Sequence, residues 1–160
     1  MRRRYLLGAG GAAIGGIWLL QYLPERSQAN SRVEAKFEIN KTEDEWRKIL
    51  TRQQYDVLRR EGTEAPGSSP LLKEYRVGNF ACAGCNLPLF SSETKYESGT
   101  GWPSFYASIE NAIATRRDGF RLEVHCRRCG GHLGHVFDDG PQPTGQRYCM
   151  NGAALKFIAG

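Results

Sequence analysis

Phe120-Arg121-Leu122-Glu123-Val124-His125-Cys126-Arg127-Arg128-Cys129 is the stretch on which the fold reading turns. Its first seven residues alternate. Phe120, Leu122, Val124 and Cys126 share one face, and Arg121, Glu123 and His125 share the other, the period of two of a half-buried strand. Just before it, Arg117-Asp118-Gly119 is a hairpin signal, with Ala112 to Arg116 as the partner strand. Its last four residues form a Cys-x-x-Cys knuckle, and Cys82-Ala83-Gly84-Cys85 is a second one. A strand that runs from a hairpin into a knuckle points to a β fold fastened at one end by sulfur.

The surrounding chain fits a mainly β (α+β) domain with short N-terminal helices. Thr42-Glu43-Asp44-Glu45 is a capping box, followed at helical spacing by Trp46, Ile49 and Leu50. A second helix is expected over Arg52 to Arg60, with Tyr55 and Leu58 inward and Gly62 as its stop. Glu64 to Pro70 reads as a loop by composition. From Gly78 on, glycine is frequent and no long helical period appears. Gln146 to Asn151 and Ala154 to Ile158 are two further strand candidates. The domain is placed at 42–160, after a polar linker at 30–41.

Residues 1–29 read as an export signal or membrane anchor. Arg2, Arg3 and Arg4 precede an apolar run from Tyr5 to Leu23, and Ser27-Gln28-Ala29 offers a small-x-small cleavage site. The arginines resemble a twin-arginine signal, and an apolar run of this length just spans a bilayer. An exported protein, or an anchored one facing that compartment, is the expectation. Four of the 22 basic and one of the 17 acidic side chains lie in this segment, which leaves +2 on the rest of a chain whose total is +5. So small a surplus makes no case for nucleic acid.

The five cysteines divide as four plus one. Cys82, Cys85, Cys126 and Cys129 match the donor set of one structural Zn²⁺ per chain, closed by four thiolates. An oxidising compartment also allows cross-paired disulfides. His132, three residues after Cys129, allows a Cys₃His site that would release one thiol. Four cysteines already complete a tetrahedron, so Cys₄ zinc is the expected assignment.

Cys149 is left over. On a strand it shares a face with Arg147 and Asn151, and a guanidinium beside a thiol favours the reactive thiolate. His132 and His135 are three apart, which puts them on opposite faces of a regular strand. A bulge at Gly134 would bring both toward one site. Trp102 is an aromatic on the glycine-rich loop Gly99-Thr100-Gly101-Trp102-Pro103-Ser104-Phe105. Two other classes use only part of this pattern. A non-enzymatic zinc-knuckle binding module leaves Cys149, the histidines and Trp102 idle, and a dithiol oxidoreductase needs a βαβ setting that neither knuckle has.

In order, the two knuckles, Gly-Trp-Pro-Ser-Phe, His132-Leu133-Gly134-His135-Val136-Phe137-Asp138-Asp139-Gly140-Pro141 and Arg147-Tyr148-Cys149-Met150-Asn151 resemble the B-type methionine sulfoxide reductases, over roughly Phe37 to Phe157. The resemblance implies two antiparallel β-sheets, a structural zinc remote from the active site, and reduction of methionine-R-sulfoxide in oxidised proteins or peptides. It implies that Cys149 attacks the sulfoxide sulfur and that His132, His135 and Asn151 bind the sulfoxide oxygen or its water and deliver protons. Trp102 would pack on the S-methyl group and Arg147 would support the thiolate. Many relatives carry a resolving cysteine just before Gly-Trp-Pro-Ser-Phe, where this chain reads Glu97-Ser98-Gly99-Thr100. A one-cysteine cycle completed by a thioredoxin-like or small-thiol reductant is therefore expected, in a monomer. Gly152 stands where many relatives have serine, and little is expected of that difference.

Overall fold

Two threonines start the two helices, and both do so by reciprocal bonding. In α1 (Glu43–Ile49) Thr42 accepts from the Glu45 amide while the Glu45 carboxylate takes the Thr42 amide. In α2 (Arg52–Arg60) Thr51 and Gln54 do the same, a second capping box that satisfies amides an open helix end would leave bare. Trp46, Tyr55, Val57 and Leu58 are buried, whereas Ile49 is 56% exposed. Only seven residues long, α1 turns a single narrow face inward. The left-handed stop of α2 is Glu61, at φ 57, with the Gly62 amide bonded back to the Asp56 carbonyl. The structure, a computed structural model, describes residues 37–160, and the export or anchor segment lies outside that range. Among the described residues no helix is long and apolar enough to cross a membrane.

The strands form two antiparallel sheets. The smaller has the order β2-β1-β9, made of β1 (Gly78–Cys82), β2 (Pro88–Ser91) and β9 (Leu155–Ala159). The larger has the order β3-β4-β8-β7-β6-β5, from β3 (Lys95–Tyr96), β4 (Ser104–Phe105), β5 (Ile113–Asp118), β6 (Arg121–Cys126), β7 (His132–Phe137) and β8 (Arg147–Met150). Aromatic side chains join the two layers. Phe90 stacks on Phe105 at 4.4 Å, Phe80 meets the same ring edge-on at 5.0 Å, and Phe90 tilts against Tyr148 at 5.7 Å. Phe80, Phe90 and Phe105 are fully buried, each stabilising the fold by about 1.5–3 kcal/mol through burial.

The β5–β6 hairpin differs from its sequence reading at the tip. The strands run through Asp118 and from Arg121, so the turn is Gly119–Phe120, one residue later than the sequence signal. Gly119 at φ 58 takes the position that favours glycine. Val124 and Cys126 are buried as the alternation predicts, but Leu122 is exposed and Phe120 is 97% exposed. The hairpin overhangs the core, so its apolar face outruns anything that could cover it. On the other face Glu123 is buried.

Candidate active site and metal centre

The register of the larger sheet lines up six residues in one row. Tyr96 lies opposite Ser104, Ser104 opposite Cys149, Cys149 opposite His135, His135 opposite Glu123, and Glu123 opposite Arg116. Directly opposed residues of antiparallel strands point their side chains to the same face. The row therefore carries a thiol, an imidazole, a carboxylate and a guanidinium across one face, while Phe105 and Tyr148 of the neighbouring row face the core.

A bulge adds the second histidine. Val124 pairs with Gly134 and His125 with His132, so Leu133 is the extra residue of β7. That insertion turns His132 to the face of His135, and their rings meet edge-on at 5.5 Å. The bulge falls one residue before Gly134, but Gly134 has a reason of its own. A Cβ there would stand 2.1 Å from the Cys149 carbonyl oxygen, so β8 approaches β7 over bare backbone.

Each site residue has defined partners. The Cys149 sulfur is 3.8 Å from Thr100 Oγ1, which bonds Ser98 at 2.8 Å, and Ser98 bonds Ser104 at 2.7 Å. Thr100 thus stands beside the thiol, in the segment before Gly-Trp-Pro-Ser-Phe. Arg147 donates twice to Asp139, at 2.8 Å each, and lies over the Phe137 ring at 4.4 Å. The Asp139 hydrogen bond, helped by its charge and that of Cys149 and Tyr96, raises Arg147 above the usual guanidinium range against the cost of burial. His135 Nε2 is 2.9 Å from Asp118 Oδ2, which also accepts from Arg121. His132 Nδ1 is 2.8 Å from Glu123 Oε1, and His132 Nε2 is buried without a protein partner.

Glu64 ties these elements together from a loop that composition alone marked as unremarkable. Its carboxylate accepts from the amides of Gly152, at 2.5 Å, and Ala153, at 2.8 Å. Its carbonyl accepts from the Trp102 indole at 3.2 Å, and its amide donates to Asn151 Oδ1 at 3.0 Å. Asn151 Nδ2 donates in turn to the Leu133 carbonyl at 3.1 Å, so one amide hydrogen of Asn151 remains for other work. Gly101, at φ 90, keeps the Trp102 loop against Pro66, whose Cβ an added side-chain carbon would meet at 2.8 Å. Neither Glu64 nor Glu123 stood out in the sequence. The available signal for Glu123 was an acidic residue between Leu122 and Val124 on a strand leading into a knuckle.

The four knuckle cysteines form a separate cluster, with all four sulfurs within 4.8 Å of one another. Cys82 and Cys129 are 3.7 Å apart, Cys85 and Cys126 3.5 Å, so none of these pairs is bonded. A tetrahedron of sulfurs about 2.3 Å from a zinc ion has edges of about 3.8 Å. The cluster can therefore hold a metal ion. Hydrogen bonding among the thiols, chiefly with Cys126 or Cys129, drives Cys85 and Cys126 down and Cys82 and Cys129 up, as expected of four groups that cannot all ionise without a cation. The knuckle glycines also make room for the helices. Gly84 faces Trp46 and Leu58, and Gly131 faces Leu58.

A SelR domain matches residues 50–159. The chain is 49% identical over 126 residues to a peptide methionine sulfoxide reductase MsrB of Leptospira interrogans, covering 76% of this chain and 96% of that one. It is 52% identical over 128 residues to the MsrB of Methanosarcina mazei, covering 77% and 91%. It is also 52% identical over 122 residues to that of Pseudomonas putida, covering 73% and 93%. Fold, row of side chains and sequence similarity agree, and the chain belongs to the SelR-domain family, that of the B-type peptide methionine sulfoxide reductases.

Proposed function

We propose that this protein reduces methionine-R-sulfoxide in oxidised proteins or peptides, with Cys149 as nucleophile. The observation that carries the reading is the register that sets Cys149 beside His135 on a face shared with His132. The Cys149 thiolate attacks the sulfoxide sulfur and takes its oxygen. The S–O bond of the substrate breaks, two electrons pass to its sulfur, and one proton is taken up, giving methionine and a Cys149 sulfenic acid. A sulfoxide oxygen leaves poorly until protonated, so His132 and His135 are read as the proton-handling groups. The free amide hydrogen of Asn151 suits the same oxygen or its water. Trp102, its ring fixed through the Glu64 carbonyl, offers a wall for the S-methyl group. Arg147 brings positive charge to the thiolate while Asp139 holds it in place.

Two external thiols then return the sulfenic acid to thiol, releasing water and a disulfide. An external source is supported by the neighbour of Cys149, which is the hydroxyl of Thr100, and by the gathering of every other cysteine in the metal cluster. A thioredoxin-like protein or a small thiol fits this role. Cys82, Cys85, Cys126 and Cys129 would hold one Zn²⁺, which supplies structural cross-linking.

A single-turnover experiment tests both parts. Wild-type chain and Cys149→Ser are mixed with R- or S-sulfoxide peptide without reductant, and peptide and protein are followed by mass spectrometry. The wild type should yield about one methionine per chain from the R epimer alone, with a sulfenic acid at Cys149 trapped by a dimedone-type reagent. Methionine formation by Cys149→Ser, or a disulfide from Cys149 to a knuckle cysteine, would sink the reading.

A further inference from the structure

We propose that Glu123 is the positioning residue for His132, and that Arg116, shared between Glu123 and Glu61, holds Glu123 in place. The inference rests on the reading of His132 as a proton-handling group.

The geometry is specific. His132 and Glu123 are both buried, at 3–4% side-chain exposure, and meet at 2.8 Å. A carboxylate only accepts, so Nδ1 carries the hydrogen and Nε2 is the nitrogen left to exchange protons. Nδ1 is turned to Glu123 of β6, and Cys149 lies on β8, the other strand that neighbours β7. That Nε2 is buried and unpartnered is costly unless something else bonds there in function. The oxygen of a bound sulfoxide would fill this vacancy.

Arg116 closes the other end. Its Nε donates to the second oxygen of Glu123, and its terminal nitrogen donates to Glu61, the left-handed residue that ends α2. A chain of alternating charge thus runs from the helix terminus, Glu61 to Arg116 to Glu123, and ends on His132. Burial pushes the Glu123 carboxyl up, and His132 and Arg116 together outweigh it and hold it below the ordinary range. The other charged or titratable groups around the pair are His125 opposite His132, His135 on the same strand, Asp118 bonded to His135, and Cys149 on β8. Burial pushes His125 down, toward the neutral form. Arg59 of α2 is engaged elsewhere, with the Cys129 carbonyl.

The carboxylate fixes the tautomer and the orientation of the ring. Arg116, bonded to the other oxygen of Glu123, holds that carboxylate in place.

The test is the single-turnover rate of methionine formation by the full chain with R-sulfoxide peptide for wild type, Glu123→Gln, Arg116→Gln and His132→Gln, together with the Nδ1–H proton resonance of His132. Glu123→Gln offers Nδ1–H only a neutral acceptor. Its maximal rate should fall roughly 10- to 100-fold, a share of what positioned proton transfer supplies, and the low-field Nδ1–H resonance present in wild type should weaken. Arg116→Gln, at a half-exposed position, should lower both in the same direction but by less, and it keeps the question answerable if Glu123→Gln fails to fold. An unchanged rate and resonance in both variants, while His132→Gln is inactive, overturn the role of Glu123 alone. An active His132→Gln overturns the reading on which it rests.

Discussion

Position 152 shows how much one side chain can depend on another far away in sequence. A Cβ built on Gly152 would stand 1.9 Å from the Ser69 hydroxyl oxygen and 2.4 Å from its Cβ. The space that a serine at 152 would need is therefore already filled from the loop after Glu64, so a serine there would cost packing as well as alter hydrogen bonding. Gly152→Ser should destabilise the protein by about 1–3 kcal/mol through overpacking, while the added change Ser69→Gly should recover most of the loss. Thermal unfolding of the single and double variants checks this. A single variant as stable as the wild type would contradict it. At this scale the sequence was legible where chemistry is written into spacing, as in the four knuckle cysteines, which the fold gathers into one cluster. It was silent where a role depends on distant partners. Glu64 looked like any loop residue because its four bonding partners sit at Trp102, Asn151, Gly152 and Ala153.

Among the elements, β7 carries the most consequence. The alternation and the glycine of His-Leu-Gly-His were enough to expect a bulge, because two histidines three apart need one to share a face. What the sequence could not give was register. Cross-strand pairing decides that Glu123 faces His135, and pairing is settled by packing between whole sheets. The same limit explains Leu122, whose place in the apolar alternation of β6 is correct while its burial is not. Gly134→Ala tests the close contact of β7 and β8. The added methyl collides with backbone at Cys149 and Met150, so the strands must part. Melting temperature should fall, and kcat should fall by more than folding loss accounts for, because Cys149, the proposed nucleophile, moves. Unchanged kcat in the folded variant would count against this account.

For the molecule as a whole, the knuckles add a second junction between the sheets that the aromatic core already joins. Cys82 ends a strand of the small sheet and Cys126 ends a strand of the large one, and α1 and α2 pack on Gly84 within the first knuckle and Gly131 just after the second. A metal ion held there would contribute folding energy. Wild-type chain should contain about one zinc per molecule, and Cys126→Ser none. The melting temperature should drop by roughly 10 °C or more, which calorimetry and metal analysis of the same samples would measure. A metal-free variant of equal stability would remove the structural role. The row from Tyr96 to Arg116 has a further consequence. Its members come from six strands, and each stands in place only if every one of five pairings is in register. A slip of one residue in any strand turns its member to the opposite face. The site thus acts as an inspection of the finished sheet: a chain that has paired wrongly anywhere along it presents no working centre, so turnover reports on correct folding of the whole sheet.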